Sequence, residues 1–148
     1  VGGFEGGTVT WAPTNITYGH NNRSAQFRLP QNRYCIENRA ADMTMNVYLA
    51  FSMTLVAAVE GIKMKIHPGK PTDQDLYNMT DKEFKKLGIK RLPRNLLMAL
   101  EALKNDKLSD EVIGTVMKNS LLAYKNDEWE RYHQAVTDWE VKEYLRLY

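Results

Sequence analysis

The sequence is poor in cysteine and in net charge. Cys35 is the single cysteine among 148 residues, so no disulfide can form within the chain. This shortage is typical of proteins from a reducing compartment, and we expect a cytoplasmic location. The 20 Lys and Arg residues against 18 Asp and Glu leave a formal charge of only +2. Nucleic-acid-binding domains usually carry a strong basic footprint, so we predict no nucleic-acid partner.

The sequence also lacks a long apolar run without polar residues. Its most apolar stretch, residues 43–62, contains Asn46, Ser52, Thr54 and Glu60. A membrane-spanning helix needs ~20 predominantly apolar residues with few or no charges. We therefore predict a buried core helix here, and no membrane association.

The first seven residues, VGGFEGG, contain four glycines and predict a loop. Residues 8–11 are β-branched or aromatic and predict a short strand. The chain begins with Val1 rather than Met. We therefore expect a fragment, a processed product or a truncated form of a longer chain.

A β-hairpin is predicted between residues 25 and 39. Residues 25–29 alternate in polarity, residues 30–32 form a turn, and residues 33–39 return as an antiparallel partner. Residues two apart in a strand share a face, so Glu37 and Arg39 are expected to project together. The preceding GHNN sequence, residues 19–22, predicts a turn, because Gly and Asn tolerate positive φ.

Five or six helices are predicted to follow the hairpin. Thr80 with Glu83 and Thr137 with Glu140 form capping boxes, and Gly88 marks a helix end. Other predicted starts are Asp42 and Ser109, and the last helix is expected to reach residue 148. The predicted fold class is α+β, with a short antiparallel β-hairpin or sheet segment followed by a helix-rich C-terminal region.

Four arginines, at positions 23, 28, 33 and 39, lie close in sequence to Glu37. Arginine presents a planar fork of donors that matches phosphate and carboxylate oxygens, so the cluster is a candidate anion site. A carboxylate among arginines can also hold a divalent metal that phosphate oxygens complete, which suits phosphoryl transfer. A solvated strand edge, protected by charged side chains, accounts for the same composition.

Several segments resemble, in order, the C-terminal half of the glutamine synthetase catalytic domain. They are NNRSAQFRLP, IENRAAD, NVYLAF, GIKMKIHPGKP and VTDWEVKEYL. The resemblance covers essentially residues 1–148. It implies the C-terminal portion of that catalytic domain, without the family's N-terminal β-grasp domain and its Glu-x-Glu metal motif.

The resemblance implies an ATP-dependent ligase that forms glutamine from glutamate and ammonia through γ-glutamyl phosphate. It implies Mg²⁺ or Mn²⁺ as cofactor, ATP as co-substrate and a homo-oligomeric ring, and this portion alone is expected to be inactive. One alternative is a γ-glutamyl-amine ligase that accepts methylamine or a polyamine, a branch that the TWAP stretch resembles. The other is a non-catalytic assembly or regulatory domain of the family.

The matching positions carry implied roles. Arg23 matches an arginine that contacts nucleotide phosphate and the acyl phosphate, and Arg28 matches one that binds ATP phosphates. Glu37 matches a metal ligand, and Arg39 matches the arginine that grips glutamate. Glu5 resembles the flap glutamate that closes over the ammonia site.

The chain departs from the family pattern between positions 28 and 37. This link is short, and Cys35 stands where a basic residue is usual, so Arg33 is the candidate replacement. Cys35 itself is expected to pack as a small buried side chain. His20 is expected to be a hydrogen-bonded loop residue rather than a phosphate ligand.

Overall fold

The structure is a computed structural model that describes residues 12–145 and residue 147. Glu5 and the strand predicted at residues 8–11 lie outside the described residues. The chain divides into two compact units, Val1–Arg94 and Asn95–Tyr148. The described residues form four strands and six helices, which confirms the α+β class. The strands all lie in the first unit.

A four-stranded mixed sheet forms the centre of the first unit. Its strands are β1 (Asn15–His20), β2 (Ala25–Leu29), β3 (Glu37–Asn38) and β4 (Lys90–Arg91), arranged in the order β3-β2-β1-β4. β2 pairs with β3 in the predicted antiparallel sense. β1 and β2 pair in parallel, and β4 joins β1 antiparallel, so the sheet is mixed rather than wholly antiparallel.

The returning strand of the hairpin is much shorter than predicted. Of residues 33–39, Glu37 and Asn38 form the strand β3 opposite β2, while residues 30–36 form a loop. Cys35 lies in this loop and is exposed, so its predicted burial is wrong. The register pairs of β2 and β3 are Phe27 with Asn38 and Arg28 with Glu37.

The small hydrophobic core of the first unit lies beside β2. Ala25, Leu76 and Phe84 form it, and Met79 and Ile89 pack against it. Phe84 comes from α2 (Asp81–Leu87), a helix that carries the predicted Thr80–Glu83 capping box and ends at Gly88 in the left-handed conformation, with φ 67°. These local signals therefore predicted both ends of α2 correctly.

The helix α1 (Val47–Lys63) departs most from expectation. It was predicted to be buried, yet none of its 17 residues is buried, and Tyr48 is 82% exposed. Among the described residues, no other helix or strand packs extensively against α1. An apolar composition favours burial, but it does not identify an element that packs against the helix. The helix begins after Asn46, whose Oδ1 accepts from Tyr48 N at 3.0 Å, rather than at Asp42.

The second unit is helical. It contains α3 (Leu96–Asn105), α4 (Lys107–Ile113), α5 (Thr115–Gln134) and α6 (Asp138–Tyr144). Leu100 of α3 is buried, and the capping box predicted at Thr137 starts α6, which ends at Tyr144 rather than at residue 148.

Asp106, rather than Ser109, caps the start of α4. Its Oδ2 accepts from Ser109 N at 2.9 Å. Ser109 is fully buried inside the first turn and donates from Oγ to Asp106 O at 2.7 Å. Lys118, 4% exposed, donates from Nζ to Asp106 O at 2.7 Å and to Asp110 Oδ2 at 3.0 Å. Burying a lysine requires such partners, and this one ties α5 to the start of α4.

Candidate functional site

The antiparallel pairing of β2 with β3 creates the candidate site. Arg28 is the register partner of Glu37, and directly opposite residues in an antiparallel pair share a face. Arg28 Nη1 donates to Glu37 Oε1 at 3.1 Å and to Oε2 at 3.0 Å. The Arg28 side chain is only 16% exposed and that of Glu37 is 22% exposed. The pair is therefore largely screened from water.

Two neighbours extend this pair. Arg33, from the loop before β3, donates from Nη2 to Glu37 Oε1, and Arg28 Nη2 donates to Asn21 Oδ1. Hydrogen bonds from Arg28 and then Arg33 hold the pKa of the Glu37 carboxyl below its ordinary value. The bond to Glu37 raises the pKa of the Arg33 guanidinium. Glu37 is thus a carboxylate held ionised between two cations.

The third nitrogen of the Arg28 guanidinium, Nε, differs from the two Nη atoms. Its Nε is buried and has no hydrogen-bond acceptor among the described residues. Its two Nη atoms are engaged by Glu37 and Asn21, so the direction of the guanidinium is fixed while Nε remains unsatisfied. A buried donor without an acceptor is costly. An anionic ligand would satisfy it.

The side chain of Arg39 contacts the main chain of Arg23. Arg39 N donates to Gln26 O at 2.8 Å, which continues the ladder one step past β3. Arg39 Nε donates to Arg23 O at 3.1 Å. The sequence placed all four arginines around Glu37. The structure brings Arg28 and Arg33 into contact with that carboxylate, and joins Arg39 to the loop that carries Arg23.

Residues 72–76 fasten the loop between β1 and β2. Asn22 Nδ2 donates to Thr72 O at 2.6 Å and to Gln74 O at 3.0 Å. Asn22 Oδ1 accepts from the N and Oγ of Ser24 at 2.9 and 2.7 Å, and Ser24 Oγ accepts from Leu76 N at 3.1 Å. Arg23 therefore sits between two anchored residues. Sequence reasoning missed this function of Asn22 and Ser24, because the partners are about 50 residues away.

His20 is hydrogen-bonded as predicted, but it is the last residue of β1 rather than a loop residue. Its N donates to Asp73 Oδ1 at 2.6 Å, and its Nδ1 lies 3.2 Å from Asp73 Oδ2. The bond from the His20 main chain and then the one from its ring lower the pKa of the Asp73 carboxyl. This contact adds another tie between β1 and residues 72–76.

The described residues do not form a metal site by themselves. Within residues 12–145 and 147, no group of three or more His, Cys, Asp or Glu side chains could hold a metal ion. Both Glu37 oxygens already accept hydrogen bonds from arginine. A metal bound at Glu37 would therefore need ligands from outside the described residues or from a bound substrate.

No helix within the described part of the chain is long and apolar enough to cross a membrane.

Residues 8–144 match the family described as "Glutamine synthetase, catalytic domain". The chain belongs to this family.

Individual members of the glutamine synthetase family are similar to almost the whole chain. A glutamine synthetase from Methanococcus maripaludis is 37% identical over 139 residues, which are 92% of this chain and 31% of that protein. A glutamate–methylamine ligase from Methyloversatilis universalis is 39% identical over 140 residues, or 95% of this chain and 31% of that protein. The chain thus spans about a third of the length of these relatives.

A solved structure supports the fold. The structure described as "Apo GmaS without ligand" has a TM-score of 0.75 and 33% sequence identity, and the match covers 90% of this chain and 30% of that one. The similarity extends the family membership from sequence to the arrangement of strands and helices.

Proposed function

We propose that the protein containing this chain is an ATP-dependent ligase that forms glutamine from glutamate and ammonia through γ-glutamyl phosphate. The observation that carries the proposal is the Arg28 guanidinium, which is held by Glu37 and Asn21 while its buried Nε lacks an acceptor among the described residues. Membership of the glutamine synthetase family supports the reaction class.

The reaction has two steps. A γ-carboxylate oxygen of glutamate attacks the γ-phosphorus of ATP, which releases ADP and leaves an acyl phosphate. The ammonia nitrogen then attacks the acyl carbon, phosphate leaves with the electrons of the broken bond, and the nitrogen loses a proton. Both steps build negative charge on phosphate oxygens, which fixed guanidinium groups stabilise.

The proposed roles are those that the resemblance to the glutamine synthetase family implies for the matching positions. Arg28 and Arg23 bind phosphate, and Arg23 also contacts the acyl phosphate. Arg39 binds the carboxylate of glutamate. Mg²⁺ or Mn²⁺, when bound, would offset phosphate charge, and Glu37 is proposed to supply one ligand. Glu5, outside the described residues, is proposed to cover the ammonia site.

The amine acceptor is a separate question. Identity to the glutamate–methylamine ligase, 39%, is close to the 37% found for a glutamine synthetase, so it favours neither acceptor. A γ-glutamyl-amine ligase using methylamine or a polyamine is therefore the second candidate. A non-catalytic assembly or regulatory domain is the third. For either ligase we propose a cytoplasmic homo-oligomeric ring, with this portion inactive alone.

The phosphate assignment is testable by titrating the chain with ATP·Mg²⁺ in a calorimeter. Loss of a hydrogen bond to a charged group costs ~1.5–3 kcal/mol, so Arg28→Ala should weaken binding about tenfold or more. Arg28→Lys should recover only part, because lysine lacks the fork. Arg131→Ala is the control, since Arg131 pairs with Asp127 on the exposed surface of α5. Equal affinity of Arg28→Ala and the parent would refute the assignment.

Activity is tested in the full-length protein by phosphate release with glutamate and ATP. Ammonia, methylamine and larger amines are supplied in parallel, and the acceptor with the highest kcat/KM identifies the ligase type. Absence of release with every amine would refute both ligase proposals and favour the non-catalytic domain.

A further inference from the structure

Gln26 lies on the same face of the sheet as the arginine cluster. It precedes Arg28 by two residues in β2, so both side chains leave the strand on one side. Arg28 is paired with Glu37, and the antiparallel register extended by one step places Gln26 opposite Arg39. The bond from Arg39 N to Gln26 O at 2.8 Å fits that placement.

The Gln26 side chain holds an unsatisfied acceptor. Its Oε1 is buried and accepts no hydrogen bond from the described residues. A buried amide oxygen without a donor costs free energy, and native structures rarely keep one without a reason. Arg28 Nε, on the same face, is also buried and has no acceptor among the residues that the structure describes. One donor and one acceptor on this face are therefore left unsatisfied by the described residues.

The charge of the face restricts the ligand. Among the described residues, the face carries Arg28, Arg39 and the carboxylate of Glu37, which also accepts from Arg33. The excess of positive charge disfavours a simple cation beside Gln26. It suits a nitrogen donor that arrives on an anionic molecule or as a neutral amine. Directly opposite side chains in an antiparallel pair begin ~4.5–5.5 Å apart. The substrates bound in one site can therefore place a carboxylate at Arg39 and an N–H group at Gln26.

We propose that Gln26 is a further substrate-binding residue, whose Oε1 accepts a hydrogen bond from an N–H donor bound beside Arg39. This inference rests on the proposed function, because it takes Arg39 as the carboxylate-binding residue. The donor has two possible sources: the α-ammonium group of the amino-acid substrate, or the nitrogen of the acceptor amine. Gln26 would then select substrates by nitrogen as Arg39 selects them by carboxylate.

The test compares ligands with and without the nitrogen in the full-length protein. Gln26→Met keeps the length of the side chain but removes the acceptor, and Gln26→Glu keeps an acceptor. Calorimetry measures binding of glutamate and of glutarate, which has both carboxylates but no amino group. Phosphate release gives KM for ammonia and methylamine. Gln134→Met, at the exposed end of α5, is the control.

If the donor is the α-ammonium group, Gln26→Met should weaken the binding of glutamate about tenfold or more and leave the binding of glutarate unchanged. For an amine donor, it should raise KM for ammonia or methylamine by a similar factor without changing glutamate binding. In either case Gln26→Glu should recover part of the loss.

The inference is overturned if Gln26→Met has the same affinities and KM values as the parent for every ligand. It is equally overturned if the variant binds glutarate and glutamate more weakly by the same factor, because that result indicates a structural role for Gln26. It is also overturned if the parent binds no glutamate. If the parent binds glutamate but releases no phosphate, the ligase proposal fails, and the comparison of glutamate with glutarate still decides on Gln26.

Discussion

Gly19 lies in the part of β1 that runs beside Thr72 and Asp73. A Cβ built on Gly19 would lie 2.3 Å from Thr72 O and 2.8 Å from Asn22 Cβ. Real Cβ atoms do not come so near to other heavy atoms, and one of the contacts is main chain. The hydrogen bonds of Asn22 to Thr72 and Gln74 depend on the same close approach. At the residue scale, a missing side chain therefore allows the Arg23 loop to be anchored.

Gly19→Ala should separate these segments. We expect a loss of ~1–3 kcal/mol in the free energy of unfolding, the usual cost of forcing extra carbon into a tight site. Urea unfolding followed by circular dichroism measures it. Gly61→Ala is the control, because a Cβ there meets nothing within 4 Å and alanine favours the interior of α1. If the urea midpoint of Gly19→Ala equals that of the parent, the packing argument is wrong.

Sequence alone identified the residues of this loop but not the reason for them. The GHNN stretch was predicted to be a turn because Gly and Asn tolerate positive φ. In the structure Gly19 belongs to β1, and Asn21 takes the positive φ of 54°. The need for glycine arises from a neighbour about 50 residues away, which no local pattern contains. The arginines could be proposed as site residues because their chemistry is visible in composition, whereas Gln26 could not, since its proposed role depends on strand register.

At the scale of elements, the capping boxes show how far local information reaches. Thr80 Oγ1 accepts from Glu83 N at 3.4 Å, and Glu83 Oε2 accepts from Thr80 N at 2.7 Å. Both partners lie within one turn, so the sequence determines the cap. The starts predicted at Asp42 and Ser109 were wrong because Asn46 and Asp106 compete nearby. The parallel pairing of β1 with β2 was missed because a strand pattern does not name its partner.

The Thr80–Glu83 capping box predicts a pH-dependent stability. The side-chain and then main-chain bonds from Thr80 lower the pKa of the Glu83 carboxyl. A carboxyl whose pKa is lower in the folded state stabilises the fold above its unfolded value of ~4.3. That contribution is lost as the pH falls through the folded pKa. The difference in urea midpoint between the parent and Glu83→Gln should therefore shrink between neutral and acidic pH.

Two variants complete this experiment. Thr80→Ala removes the cap itself and should cost ~1 kcal/mol at neutral pH. Glu60→Gln changes an exposed carboxylate of α1 and should leave the midpoint nearly unchanged. A difference between the parent and Glu83→Gln that stays constant with pH would contradict the ionised cap.

At the scale of the whole molecule, α1 was predicted correctly as an apolar helix but wrongly as a buried one. Its apolar composition predicts a buried core helix. The helix nevertheless exposes a stripe at helical spacing that comprises Tyr48, Phe51, Leu55, Val59 and Ile62, from 40% to 82% exposed. Exposed apolar patches of this kind promote association. The sequence could not predict whether another element covers this stripe, because hydrophobic periodicity indicates an apolar face but does not identify a partner for it.

The 148-residue chain by itself should therefore bind a hydrophobic dye and associate as its concentration rises. Replacing Phe51 and Leu55 together by Gln should reduce both effects. It should change the free energy of unfolding little, because these side chains are 71% and 66% exposed. Dye fluorescence and sedimentation velocity measure the two effects. Val116→Gln is the control, since Val116 on α5 is 82% exposed but lies outside the stripe. If the parent neither binds the dye nor associates, α1 is covered in solution and its exposure in the structure does not describe the isolated chain.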